Sequence, residues 1–487
     1  MRIPITRRSL LAAPALGAVA LTPACARPLL AEPAKPALPG WYGDLEKRTF
    51  DFFWQTVNRK NGLVPDRWPS ESFCSIASVG YALTAYSVGV ERGWVTRAAA
   101  AELTRTTLRF FWTAPQGPEP SGTAGHKGFF YHFIDMKTGH RFRTNELSSV
   151  DTTLLFMGIL FAAEYFNADN AVEAEIRKLA HDIYARADWN FFRSDGRAPI
   201  SMGWHPETGL IPASWQGYNE GMCVYILALA SPTHPVPANS WDVWTAKYDH
   251  CWRGQGDTRH LAFAPMFGHH YSHVWVDFRG IPDKVVREAG LDYFENSRRA
   301  TYAQRAYAIA NPMGWTSYSK DIWGLTACDG PGGYELPFKG RTASFRAYSA
   351  RGPLGQPDEF DDGTIAPTAA LGSLPFAPEI VIPAAEALRK WPGLYSQYGF
   401  LDSFNPSFTW TDKKLANGRI NGKHGWIDTD YIGIDQGPIL LQAENYRSDF
   451  VWRVVRGSKV IRRGLGAGGF TGGRLAASGE PLQFVDA

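Results

Sequence analysis

Between Asn145 and Phe166 the chain reads NELSSVDTTLLFMGILFAAEYF, and between Tyr218 and Ser231 it reads YNEGMCVYILALAS. In both, an acid stands just ahead of a helix that is apolar on nearly every face. Such a helix is buried in a large fold, and a carboxylate at its start marks where the core opens to solvent. Segments of this all-round apolar or small-residue kind recur at 75–90, 148–166, 219–231, 299–310, 365–374 and 435–446. Between them lie amphipathic segments such as 96–113, 172–192 and 378–390, charged on one face only. The first set predicts an inner layer and the second an outer layer. Alternating as antiparallel hairpins, they would send every inner helix the same way and bring all inner N-termini to one mouth.

The residues leading into these helices are polar and mostly acidic: Asp66-Arg67-Trp68, Asn145-Glu146, Tyr218-Asn219-Glu220, Glu295 to Arg298, Asp361-Asp362-Gly363-Thr364, and Asp428-Thr429-Asp430 before Asp435-Gln436. Helix capping explains some of this. Ser148 and Asp151 have the S-x-x-D spacing of a capping box, which makes Asp151 a structural residue. Capping does not explain Glu146, which lies ahead of the cap. Nor does it explain Trp68, Trp204, Trp215, Tyr218, Trp426 and Tyr431, which flank these acids. The chain carries 18 Trp, 20 Tyr and 29 Phe; an aromatic core explains most of them, and faces not spent there suit sugar rings.

Composition and punctuation bound the rest. With 487 residues, 45% hydrophobic, 20% charged and a net charge of +3, the chain is an ordinary globular protein with no bias toward nucleic acid. Arg7-Arg8, then Ser9-Leu10-Leu11 and an apolar run through Leu21, reads as a twin-arginine export signal with small residues near Ala24 and Ala26 for cleavage. The mature protein is expected in the periplasm or outside the cell. Cys25 follows a poor lipoprotein box, and no other stretch is long and apolar enough to span a membrane. Cys74, Cys223, Cys251 and Cys328 are scattered without metal or redox spacing. Gly128 to Arg143 alternates like a β-hairpin about Lys137-Thr138-Gly139. His269-His270-x-x-His273 lacks carboxylate partners for a metal, and its His donors suit hydroxyls. Residues 1–39 are thus leader and linker, 40–456 one catalytic domain, and 457–487, Gly-rich and without apolar period, a flexible tail.

The runs DFFWQTVN, GLVPDRWPS, GFFYHFIDMKTG, ELSSVDT, SMGWHPETG, YNEGM, FGHHYSHVWVDFRG, WGLTACDGP, DDGTIAPTAA and WIDTDYIGIDQGPIL resemble the bacterial glucoamylase-like family, glycoside hydrolase family 144, along residues 44 to 455. The resemblance implies an all-α fold, an (α/α)6 toroid with small β-hairpin insertions, that hydrolyses β-1,2-glucan within the chain or releases sophorose from an end. The family's essential glutamates match Glu146 and Glu220, and its C-terminal acidic motif matches Asp428 and Asp430. Glu220 is expected as general acid, with Glu146 or Asp430 activating water or stabilising charge. Two effects compete at Glu220: a helix N-terminus lowers a carboxyl pKa, whereas burial against Trp215 and Tyr218 raises it. Substrate contacts are expected from Arg67, Trp68, His132, Trp204, His205, His273, Asp329, Asp362, Asp428 and Gln436. Neither cofactor nor metal is expected; the partner is an oligo- or polysaccharide, met by a monomer.

Overall fold

Residues 35–193 and 199–476 are described by the structure, a computed structural model. The twin-arginine segment lies outside the described residues. Helices alternate between two layers. Outer α1 (Tyr42–Thr56) leads to inner α2 (Ile76–Glu91), outer α3 (Arg97–Thr113) to inner α4 (Ser149–Tyr165), and outer α5 (Ala171–Ala185) to inner α6 (Met222–Ala230). Outer α7 (Ser240–Thr245) leads to inner α8 (Phe267–Trp275); after a short α9 (Lys284–Glu288), outer α10 (Tyr293–Ala310) leads to inner α11 (Pro367–Leu371), and outer α12 (Pro378–Arg389) to inner α13 (Gly433–Ser448). α13 packs on both α1 and α2, so the last hairpin closes on the first. The result is the expected (α/α)6 toroid.

The inner helices hold the core. α4 buries Leu154, Leu155, Phe156, Ile159, Leu160 and Phe161 all round its axis, at about 1.5–3 kcal/mol for each large side chain. It crosses α2 so closely that a Cβ on Gly158 would lie 2.1 Å from the Gly80 carbonyl oxygen, and one on Gly80 2.2 Å from that of Leu154. Only glycine permits this crossing.

The inner N-termini are tied into a belt by very short strands and single hydrogen bonds. Arg67–Trp68 pairs antiparallel with Tyr431–Ile432, joining the entry of α2 to that of α13. Leu147–Ser148 pairs with the start of Gly203–His205, and His132 N–H donates to Glu146 O at 3.0 Å. Trp215 donates its indole N–H to Ser149 Oγ at 2.8 Å, linking the entry of α6 to α4. Met266 and Ala366 N–H donate to Leu325 and Gly324, which joins α8 to α11, and Thr368 Oγ1 donates to Asp435 O, which joins α11 to α13. All six thresholds therefore face one way.

Two expectations are corrected. Residues 299–310 belong to outer α10, whose buried positions Ser297, Ala300, Thr301, Gln304 and Ala308 form a one-sided stripe; the fourth inner helix is α8 instead. The tail from Gly457 is not flexible throughout: α14 (Phe450–Val455) is followed by α15 (Lys459–Ala467), which buries Val460, Ile461 and Leu465 and packs against α6. Gly464 makes that contact possible, since a Cβ there would meet Ile226 O at 2.1 Å. No helix among the described residues is long and apolar enough to cross a membrane.

Candidate active site

Two groups of acids line the mouth. The first belongs to α4 and α6. Glu146 sits one residue before the strand that enters α4, with its side chain against Gly203. Its Oε1 lies 2.8 Å from His132 Nδ1. The other ring nitrogen, Nε2, lies 3.4 Å from Asp151 Oδ1, and Ser148 Oγ donates to Asp151 Oδ2 at 2.6 Å. Burial alone would lower the His132 pKa, but Asp151 and Glu146 overcome it and hold the imidazolium to about 9. Burial likewise pushes Glu146 up, and the hydrogen bond and charge of His132 bring it below the usual carboxylate range. With both nitrogens engaged by carboxylates, His132 has no lone pair to give a metal.

Glu220 stands one residue before Gly221, the N-cap of α6. Its Oε2 is sealed from solvent and has no hydrogen-bond partner. Burial pushes its carboxyl up to about 8, with the charges of Asp151 and Asp358 adding to it. Burial thus wins over the helix dipole, and Glu220 is an acid near neutral pH.

The second group surrounds Arg67. Arg67 Nη1 donates to Asp329 Oδ2 at 2.6 Å, its Nε reaches Asp66 Oδ2 at 3.3 Å, and Asp430 Oδ2 is 3.8 Å from Nη1. Ser70 N–H holds Asp430 Oδ1 at 3.1 Å. Asp428 Oδ1 accepts from the Thr429 and Asp430 amides, and Asp402 Oδ2 accepts from Asp329 N–H at 2.7 Å. Burial and mutual repulsion raise Asp329, Asp428 and Asp435, and push Asp402 up to about 7. So many buried carboxyls beside one arginine must share protons. Asp329, Asp428 and Asp430 bring oxygens within 4.8 Å of one another and are the set that a hard cation could use.

The ring order sets these groups against each other. Inner helices run α2, α4, α6, α8, α11, α13, so Glu220 at α6 and Asp430 at α13 stand three places apart in a circle of six, on opposite walls. Tyr271 of α8 feels the charges of both Glu220 and Asp435. Two aromatic side chains stay open to solvent here: Trp68, 40% exposed, beside Arg67, and Tyr348, 51% exposed, which feels Asp435, Asp402, Asp66 and Asp329. Trp204 stacks on His126 at 5.1 Å, and His205 Nδ1 lies 3.4 Å from Arg141. Both are half-buried beside Glu146.

Three expected substrate contacts are buried and hydrogen-bonded within the fold. Asp362 is fully buried in a bidentate pair with Arg351, Nε to Oδ1 at 2.8 Å and Nη2 to Oδ2 at 3.0 Å, and each oxygen also accepts a backbone amide. Its oxygens are spent on the fold. His273, near the far end of α8, is enclosed by Phe278 and Phe376 with Nε2 at 3.1 Å from Ser297 Oγ. Gln436 is buried and donates to Phe400 O at 3.0 Å. Conversely, Asp402 and Tyr348 were not foreseen. Asp402, an acid inside the apolar run GFLDSF, was the available signal; Tyr348 carried none.

A family model described as "Putative glucoamylase" matches residues 212–459, about half of the chain. An exo β-1,2-glucooligosaccharide sophorohydrolase (non-reducing end) from Parabacteroides distasonis is 25% identical over 454 residues, covering 86% of this chain but only 56% of that protein, so the chain spans little more than half of its curated relative. A Bacteroides uniformis protein bearing the same glucoamylase description has a crystal structure that superposes with a TM-score of 0.75 at 30% identity, over 91% of this chain and 100% of its own. The endo-β-1,2-glucanase of Chitinophaga pinensis, solved with sophorotriose and glucose, superposes with a TM-score of 0.73 at 25% identity, over 88% and 97%. On the half-chain match and the full-length structural relative, this chain belongs to the glucoamylase-like family, glycoside hydrolase family 144.

Proposed function

We propose that the protein hydrolyses β-1,2-glucan. The observation that carries this reading is the Glu220 carboxyl, with its Oε2 sealed from solvent and without a hydrogen-bond partner, set across the ring from a group of carboxylates on the opposite wall. The relatives named for β-1,2-glucan support the linkage. Glu220 is the general acid that protonates the leaving oxygen. Asp430, across the mouth and oriented by Ser70 N–H and Arg67, is the carboxylate that activates water. A proton donor and a charged carboxylate on opposite sides of the glycosidic bond are what this reaction requires. Glu146, ion-paired with His132 on the Glu220 side, stabilises charge there. Trp68, Tyr348, Trp204 and His205 offer stacking faces and donors along the mouth, and Arg7-Arg8 with the apolar run after it, read as a twin-arginine leader, supports a periplasmic or secreted setting.

Product analysis tests the reading. Incubated with linear β-1,2-glucan, the protein should release β-1,2-linked oligosaccharides, with other β- and α-glucans left intact. Cleavage of an α-glucan alone would remove the linkage assignment. Absorbance of unsaturated uronides would replace hydrolysis with elimination.

A further inference from the structure

The S-x-x-D spacing marks Asp151 as a helix cap, and Ser148 Oγ does accept the Asp151 amide at 3.1 Å. Yet the side chain does more than close a turn. One carboxylate oxygen accepts from Ser148 Oγ at 2.6 Å, and the other faces His132 Nε2 at 3.4 Å. His132 in turn holds Glu146 at 2.8 Å through Nδ1. The Asp151 side chain is 8% exposed, whereas those of His132 and Glu146 are each 27% exposed. A carboxylate–imidazole–carboxylate bridge therefore runs from the open mouth into the wall.

The wall that bridge enters is joined to the element that carries the acid. Ser149, two residues before Asp151, receives the Trp215 indole N–H at 2.8 Å, and the Trp215 ring lies against Gly221, the neighbour of Glu220: a Cβ on Gly221 would meet it at 3.0 Å. The first turn of α4 is thus locked to the first turn of α6. Resting on the assignment of Glu220 as general acid, we propose that Asp151, whose ionised form His132 favours against the burial that opposes it, is the positioning residue that adds to burial in holding Glu220 in its acid form. A fixed negative charge beside a buried carboxyl opposes that carboxyl's ionisation, and a protonated imidazole is what allows a second buried carboxyl to stay charged.

The surrounding charges are few. Glu220 is faced by Asp151 from α4, by Asp358 from the loop after Gly352 and by the Tyr271 phenol from α8. His132 is faced by Asp151, Glu146 and Asp66. Asp151 is faced by His132 and Glu146, with Ser148 hydrogen-bonded to it, and by the Tyr81 phenol from α2. No other charge is needed for the coupling.

The test is the pH profile of kcat/KM on β-1,2-glucan for the wild type, Asp151→Asn, His132→Gln and the double variant, with Glu220→Gln as reference. Asp151→Asn should move the alkaline limb down by on the order of one pH unit. His132→Gln should move it the same way, because the buried Asp151 carboxyl then takes up a proton. The double variant should shift no further than either alone. An alkaline limb left in place by folded Asp151→Asn overturns the proposal; should Asp151→Asn fail to fold, an unmoved limb in His132→Gln does so. Full turnover by Glu220→Gln instead removes the assignment of the acid itself, so the two failures are told apart.

Discussion

Arg67 and Asp329, 262 positions apart in the chain, meet at 2.6 Å in the wall of the mouth, with Asp329 fully buried and the arginine side chain 18% exposed. Arg67 is also the cation nearest to Asp66 and Asp430. Replacing it with Met should leave buried carboxyls uncompensated and cost about 3–5 kcal/mol of stability. Thermal unfolding should show the loss, together with a fall in glucan turnover, and Arg67→Lys should recover part of the stability.

Glu220→Gln should reduce kcat by about 10²–10⁴-fold, the contribution of a positioned proton donor. Its stability should change in the opposite direction. A carboxyl raised to about 8 in the fold stabilises fully below its unfolded value and loses that contribution as pH rises toward 8. Gln is neutral at every pH. The variant and the wild type should therefore melt together near pH 4, with the variant increasingly the more stable between pH 5 and 8. A variant that gains no stability over the wild type between pH 5 and 8 would contradict the assignment of a buried neutral acid.

Asp362→Ala should behave as a folding defect and not as a binding defect. It breaks a fully buried bidentate pair with Arg351, at about 3–5 kcal/mol, while KM in the folded fraction stays near the wild-type value. Trp68→Ala and Tyr348→Ala should do the reverse. Both rings are open to solvent, so melting should hold while KM rises by roughly threefold to tenfold as stacking is lost.

The three histidines of α8 predict acid lability. Burial drives the pKa of His269 well below its ordinary value, and those of His270 and His273 to about 3. The unfolded chain takes up protons on them below about pH 6.5 and the native state does not, so stability drops as pH falls through that point. The raised carboxyls of the mouth act in the opposite sense over this range, so the histidine contribution is read as a difference: from pH 7 to 5 the melting temperature of His270→Gln, which keeps a hydrogen-bonding group opposite Ser373, should rise relative to that of the wild type.

The layering was legible where a helix is apolar all round: α2, α4, α6, α11 and α13 all begin within a few residues of their expected starts. It was not legible at α8. FGHHYSHVW is short and carries three histidines and a serine, and nothing in the string shows that His270 and His273 are neutral and paired with Ser373 and Ser297. The Ala-rich RATYAQRAYAIA of α10 misled for the converse reason: small residues look buried on every side, while packing uses one stripe. In the site, residue type marked Glu146, Glu220 and Asp430 but could not say which oxygens were already engaged. Asp362 is an acid at a threshold just as Glu220 is; Arg351, eleven positions earlier, takes both of its oxygens. The amphipathic face of α15 escaped notice because glycines surround it.

The short pairing of Arg67–Trp68 with Tyr431–Ile432 has a consequence for when the protein becomes an enzyme. Ser70 and Asp430, which meet at 3.1 Å, are separated by 360 positions. A chain leaving the ribosome exposes Glu220 and its whole supporting wall long before α13 exists, and contacts of such sequence separation form late. A nascent chain that ends before Asp428 therefore holds the proton donor without Asp430, the carboxylate proposed to oppose it. On the proposed pairing of Glu220 with Asp430, the onset of glucan cleavage should report the closing of the ring, and turnover should time refolding.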